Sequence, residues 1–94
     1  MASYTVAKAK HATLVASTVD TVTVTWGASQ QVEVANWGSA RLYFTTDGST
    51  PAVGADDTFV VGPGGSLVVP TPGMTSTAVK LICAAANDYS VQAL

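Results

Sequence analysis

Apolar side chains in this chain recur at every second position, in short runs cut off by glycine, proline and aspartate. The clearest run is 19–26, where Val22, Val24 and Trp26 face one way and Thr21, Thr23 and Thr25 the other. A period of two belongs to a strand with one buried face, and β-branched Val and Thr suit a pleated surface. Gln30 to Asn36 repeats the pattern, with Val32 and Val34 inward and Gln31, Glu33 and Ala35 outward. Arg41 to Thr46 repeats it with Leu42 and Phe44 and runs into Asp47-Gly48. In such a turn Asp bonds nearby backbone and Gly takes positive φ without steric cost. Pro51 then stops the strand from continuing.

The remaining segments follow the same rule. Strands are expected at Tyr4 to Ala7, 11–18, Thr58 to Val61, Ser66 to Val69, Thr77 to Cys83 and Asp88 to Gln92. Gly62-Pro63-Gly64-Gly65 and Pro70-Thr71-Pro72-Gly73 separate three of them. No segment sustains a 3.6-residue period, and Ala84-Ala85-Ala86 reads as a loop because Asn87-Asp88 follows at once. Together these segments predict an all-β fold: a single antiparallel β-sandwich, immunoglobulin-like or jelly-roll-like, of about eight short strands. Residues 1–10 read as an N-terminal arm and 11–94 as the sandwich domain. The expected core holds Val22, Val24, Val32, Val34, Leu42, Phe44, Leu81 and Val91, with Trp26 continuing one inward face.

Composition bounds the function. Charged residues are 11% of the 94, against roughly 25% in an ordinary domain. The surface is therefore built from Thr, Ser, Ala and Gly, which suits a protein that stays packed against neighbours. Only Lys8, Lys10, Arg41 and Lys80 are basic and the net charge is −2, so no nucleic-acid partner is expected. No apolar run approaches the length of a membrane span. Met1 to Val6 lacks the basic and apolar stretches of a secretory signal, so none is expected.

The inventory of reactive groups is poor. His11 is the single histidine, and no Gly-x-Ser-x-Gly elbow accompanies it, so it reads as an ordinary strand histidine. Cys83 is the single cysteine and reads as a small buried hydrophobe. One His and one Cys do not make a zinc site. Asp47, Asp56 and Asp57 offer hard oxygen ligands, but their spacing matches no calcium loop and suits turn chemistry better. The sequence thus predicts no enzyme, no cofactor and no metal. Trp37 beside Gly38 is expected to be partly exposed, and with Arg41 and Tyr43 it makes the candidate interaction surface.

Two resemblances follow from these segments. Tyr43-Phe44-Thr45-Thr46-Asp47-Gly48-Ser49-Thr50-Pro51 resembles the repeated strand-and-turn element of chitobiase-type carbohydrate-associated domains. A wider pattern joins Val19 to Val24, Val32-Glu33-Val34, the Leu42 strand, Asp56 to Val61, Val79 to Ile82 and Tyr89-Ser90-Val91. It is similar to small structural proteins, head-decoration proteins among them, of tailed phages infecting actinobacteria. The wider resemblance implies a virion protein on the capsid surface, assembled in the host cytoplasm. Its partners would be the major capsid protein and itself, as a homo-oligomer with a trimer favoured. A tail or minor virion protein of the same fold, or a carbohydrate-binding module, is the alternative.

Overall fold

Nine strands and no helix form in the computed structural model, which describes residues 2–25, 31–71 and 76–94. They are β1 (Ser3–Val6), β2 (Ala9–Leu14), β3 (Asp20–Val24), β4 (Gln31–Asn36), β5 (Leu42–Thr45), β6 (Phe59–Val61), β7 (Ser66–Pro70), β8 (Thr77–Cys83) and β9 (Asn87–Ala93). They make a five-stranded sheet in the order β1-β3-β8-β5-β6 and a four-stranded sheet in the order β2-β9-β4-β7. Of consecutive strands only β5 and β6 are neighbours within one sheet; every other connection crosses between the two. That alternation is the jelly-roll form of the sandwich, the second of the two forms expected.

The strand period places the core. Val22 and Val24 of β3, Val32 and Val34 of β4, Leu42 and Phe44 of β5, Leu81 of β8 and Val91 of β9 are all buried, as the alternation predicts. Leu14, Val61, Val69, Val79, Cys83 and Tyr89 complete the cluster. The Cys83 thiol lies against the Arg41 carbonyl at 3.1 Å. Trp26, expected to extend this core, lies outside the described residues. Pro70 ends β7, an edge strand, where a missing N–H removes no ladder bond.

Residues 2–10, which the sequence sets apart with Met1 as an arm, are held by both sheets. Ser3–Val6 pairs with β3, Ala9 and Lys10 open β2, and Tyr4 and Val6 pack on the core. The β1–β3 pair is parallel, a departure from the all-antiparallel expectation; every other pair is antiparallel. Parallel pairing follows from the crossover through β2, which lies in the opposite sheet. The Lys10 ammonium sits 4.3 Å from the centre of the Tyr4 ring, a cation–π contact that fastens the arm further.

A polar staple crosses the core beneath it. Asp20 is 2% exposed and accepts hydrogen bonds from the Tyr89 hydroxyl at 3.1 Å and the Ala2 backbone N–H at 3.2 Å. A buried carboxylate without such donors would be strongly unfavourable. Burial first, then the charge and hydrogen bond of Asp20, push the Tyr89 phenol far above its ordinary value of 10.0. The folded state therefore holds the phenolic proton more tightly than the unfolded chain does. This contribution is whole below about pH 10 and is lost as the pH climbs above it. Denaturant titrations at rising alkaline pH should show stability falling, and Tyr89→Phe should remove that slope.

The Asp47 turn has the expected form. Gly48 sits at φ +87°, and Asp47 Oδ1 accepts from the Ser49 backbone N–H at 3.0 Å and the Ser49 hydroxyl at 2.5 Å. The Ser49 hydroxyl, then its backbone N–H, hold the Asp47 carboxyl below its usual value. A Cβ on Gly48 would meet no neighbour within 4 Å, so the strain is conformational alone. Gly48→Ala should lower stability by about 1 kcal/mol, read as a melting temperature about 4–8 °C lower.

Candidate functional site

The sandwich has two outer faces, and the strand period decides what each shows. On the four-stranded sheet His11 and Thr13 of β2, Asp88, Ser90 and Gln92 of β9, and Glu33 of β4 point outward, because their neighbours in sequence point inward. Cross-strand registers set His11 opposite Ser90, Thr13 opposite Asp88 and Glu33 opposite Gln92. The Thr13 hydroxyl donates to Asp88 Oδ1 at 2.5 Å, and the Gln92 amide donates to Glu33 Oε1.

Trp37 lies over this face. It follows β4 directly and is 66% exposed. Its backbone N–H donates to the Asp88 carbonyl at 3.0 Å and its indole N–H to Ser90 Oγ at 2.9 Å. The ring is thus exposed and anchored at two points.

The loop that carries Trp37 is shaped by two buried asparagines. The Asn36 amide donates to the Ala40 carbonyl at 2.7 Å and the Val61 carbonyl at 2.9 Å. Asn36 Oδ1 accepts from Gly38 N–H at 3.0 Å and from the Asn87 amide at 2.8 Å. Asn87 Oδ1 accepts from Ala40 N–H at 3.2 Å. Gly38 is the tight point of this loop: a Cβ there would stand 1.8 Å from Asn87 Oδ1.

The outer face of the five-stranded sheet differs in kind. Tyr43 of β5 lies between Val60 of β6 and Ile82 of β8. Val60 is 51% exposed on an edge strand that has no further strand partner among the described residues. Thr21, Thr23 and Ala78 continue the face, Thr45 is buried at its end with its hydroxyl donating to the Ser49 carbonyl at 2.6 Å, and Lys80 is its one charge among the outward strand positions.

The structure does not bring the three expected surface residues together. Tyr43 is on the five-stranded face, exposed Arg41 precedes its strand, and Trp37 covers the four-stranded face behind the core. Adjacency in sequence misleads here because the chain crosses from one sheet to the other between residues 36 and 42. The sequence does not mark His11, Thr13 and Asp88 as neighbours of Trp37, because their shared parity on β2 and β9 gains meaning only with the strand pairing.

Asp47 and Asp57 converge on a third feature. With Thr45, Thr46, Ser49, Thr58 and Phe59 they line a notch of about 690 Å³ at the end of β5 and β6. Asp57 has φ +59° and Phe59 stacks on Phe44 at 5.2 Å. Among the described residues no three His, Cys, Asp or Glu side chains gather as a metal site. Ser90 Oγ, the cross-strand neighbour of His11, is engaged by the Trp37 indole.

No family model matches the chain, and no curated protein matches it. Solved structures do. A carbohydrate-binding module found in a sugar cane soil metagenome, solved with cellopentaose and a gadolinium ion, aligns at TM-score 0.67 and 14% identity over 97% of this chain and 90% of its own. A de novo designed double-stranded β-helix aligns at TM-score 0.61 and 14% identity, covering 89% of this chain and 95% of its own. PliG, a periplasmic inhibitor of g-type lysozyme from Aeromonas hydrophila, aligns at TM-score 0.56 and 13% identity, covering 97% and 96%. The fold is shared at a level where sequence is not. These likenesses establish the double-sheet β architecture and leave the ligand open.

Because Gly38 is boxed in by Asn87, Gly38→Ala should destabilise by about 2 kcal/mol or more. It should also release the Trp37 loop. Thermal melts check the first outcome and a change in near-ultraviolet circular dichroism of tryptophan checks the second.

Proposed function

We propose that this protein is a non-catalytic virion component, a capsid-decoration protein of a tailed phage that binds the outer head surface. The observation that carries the proposal is the outer face of the five-stranded sheet. It sets half-exposed Val60, on a strand at the edge of the sheet, beside partly buried Tyr43, with Ile82 largely buried at 8% exposure beyond it, and bears Lys80 as its one charge among outward strand positions. A charge-poor face ending in an unpaired edge is suited to lasting contact with protein neighbours. The wide sequence resemblance to phage head proteins and the 11% charged composition support the same reading. The partners would be the major capsid protein and further copies of this chain, a closed trimer suiting local threefold axes. Binding only to the assembled shell would stabilise it by mass action.

A second reading, a carbohydrate-binding module, is favoured by the anchored Trp37 and by the likeness in fold to the module solved with cellopentaose. It concerns the other face of the sandwich.

The test of the first reading is co-sedimentation with undecorated capsids of the source phage. Contacts through Thr, Tyr and aliphatic groups should hold at low salt and at about 1 M salt, where the Debye length is about 3 Å. Complete release at high salt would overturn the uncharged contact, and no binding at either salt would overturn the capsid reading. Val60→Glu puts a charge into that face and should weaken retention about tenfold or more, ~1.4 kcal/mol. Val60 is exposed in the free protein, so its melting temperature should stay where it was.

A further inference from the structure

We propose that Trp37, with His11, Thr13 and Asp88, forms a stacking subsite for one pyranose ring of a neutral saccharide. This names the place and ligand class for the carbohydrate reading and rests on it.

The first argument is the state of the ring. An indole that is two-thirds exposed is ordinarily free to swing. Here the Trp37 backbone is tied to Asp88 and the indole N–H to Ser90 Oγ. The loop behind it is set by Asn36, Asn87 and the forced glycine at position 38. A ligand that stacks on a ring already held has little side-chain entropy to overcome. With its N–H engaged, the ring offers a π face and a C–H edge. That π face is electron-rich, and the C–H bonds lining one side of a pyranose are its weakly positive complement.

The second argument is what surrounds the ring. His11, Ala12, Thr13, Trp37, Asp88 and Tyr89 line a shallow depression of about 450 Å³, within the roughly 300–1,000 Å³ of ligand clefts. Thr13 donates to Asp88 Oδ1, which leaves Asp88 Oδ2 and the imidazole of exposed His11 facing solvent beside the indole. Carboxylate and imidazole are the groups that sugar hydroxyls bond as donors and acceptors.

The third argument is charge. A nucleobase also stacks on tryptophan, but its phosphates call for a basic groove. The outward strand positions of the four-stranded sheet carry Glu33 and Asp88 and no Lys or Arg. That face disfavours anionic polymers, uronic acid chains included, and accepts an uncharged polyol.

The experiment titrates the folded protein by calorimetry with cellopentaose, chitopentaose and maltopentaose, and with a single-stranded oligonucleotide as the anionic control. Saturable binding of at least one neutral sugar is expected. Trp37→Ala should reduce its affinity about tenfold or more, with Trp37→Phe between the two and the far-ultraviolet circular dichroism of both still that of the folded sheet. Val60→Glu, on the opposite face, should bind sugar as the parent does. Sugar binding that Trp37→Ala leaves unchanged would overturn the subsite and leave the carbohydrate reading standing. No binding of any neutral sugar by the parent would overturn both. Binding of the oligonucleotide alone would overturn the ligand class.

Discussion

A pair of buried asparagine side chains at one end of the sandwich governs much of what surrounds it. Asn36 uses every hydrogen-bonding group it has. Its amide holds Ala40 and Val61, its side-chain oxygen takes Gly38 and Asn87, and its backbone exchanges bonds with Gly64 and Gly65. Val61 belongs to the opposite sheet, so one side chain links β4 of one layer to β6 of the other. Each of these groups buried without a partner would cost about 1–3 kcal/mol. Satisfied together, they select one arrangement of three connecting segments. The Tyr89–Asp20 bond does the same between β9 and β3. The first link is carried by Asn36 of β4, which Asn87 of β9 holds in place from within the same sheet, and the second by Tyr89 of β9.

Much of this was legible in the sequence where burial is one-sided. β8 matches its expected span of Thr77 to Cys83, and the eight expected core positions are all buried. Alternation of Val with Thr states which side is wet, and Gly-Pro clusters state where a strand must end. Pairing partners were not legible, because they depend on contacts distant in the chain. The parallel β1 and the grouping of His11 with Ser90 come from sheet order alone. The polar links escaped for another reason. Asn and Asp near a turn ordinarily bond their own neighbourhood, as Asp47 does with Ser49. Nothing in sequence separates that case from Asn36 and Asp20, which are buried and bond across 25 and 69 positions. The trio Trp37, Arg41 and Tyr43 do not gather on one side for the same topological reason: the five residues 37–41 suffice to pass from one layer to the other.

The two outer faces differ in what they offer. One is a charge-poor strip beside an open strand edge; the other is polar, with a fixed aromatic ring at its margin. A core of aliphatic side chains and Tyr89 lies between them, so a ligand on one side has no direct contact with a partner on the other. Such a domain can be attached by one side while the other stays free for a different encounter. The capsid reading and the saccharide reading are therefore compatible, and each face is open to its own variants.

β9 carries two messages in alternate letters. Tyr89 and Val91 face the core and Asn87 holds Asn36 and the Ala40 N–H, while Asp88 and Gln92 face outward and Ser90 lies buried beneath the Trp37 indole. Changes at the outward letters alter what the surface greets and leave the fastening intact. Changes at the inward letters do the reverse. An insertion or deletion of one residue is a different event, because it exchanges the two sets at a stroke. Substitution along β9 can therefore alter this surface, whereas a change in its length cannot do so without exchanging the two faces. Diversity at 88 and 92 beside constancy of length is the trace such change would leave among related chains.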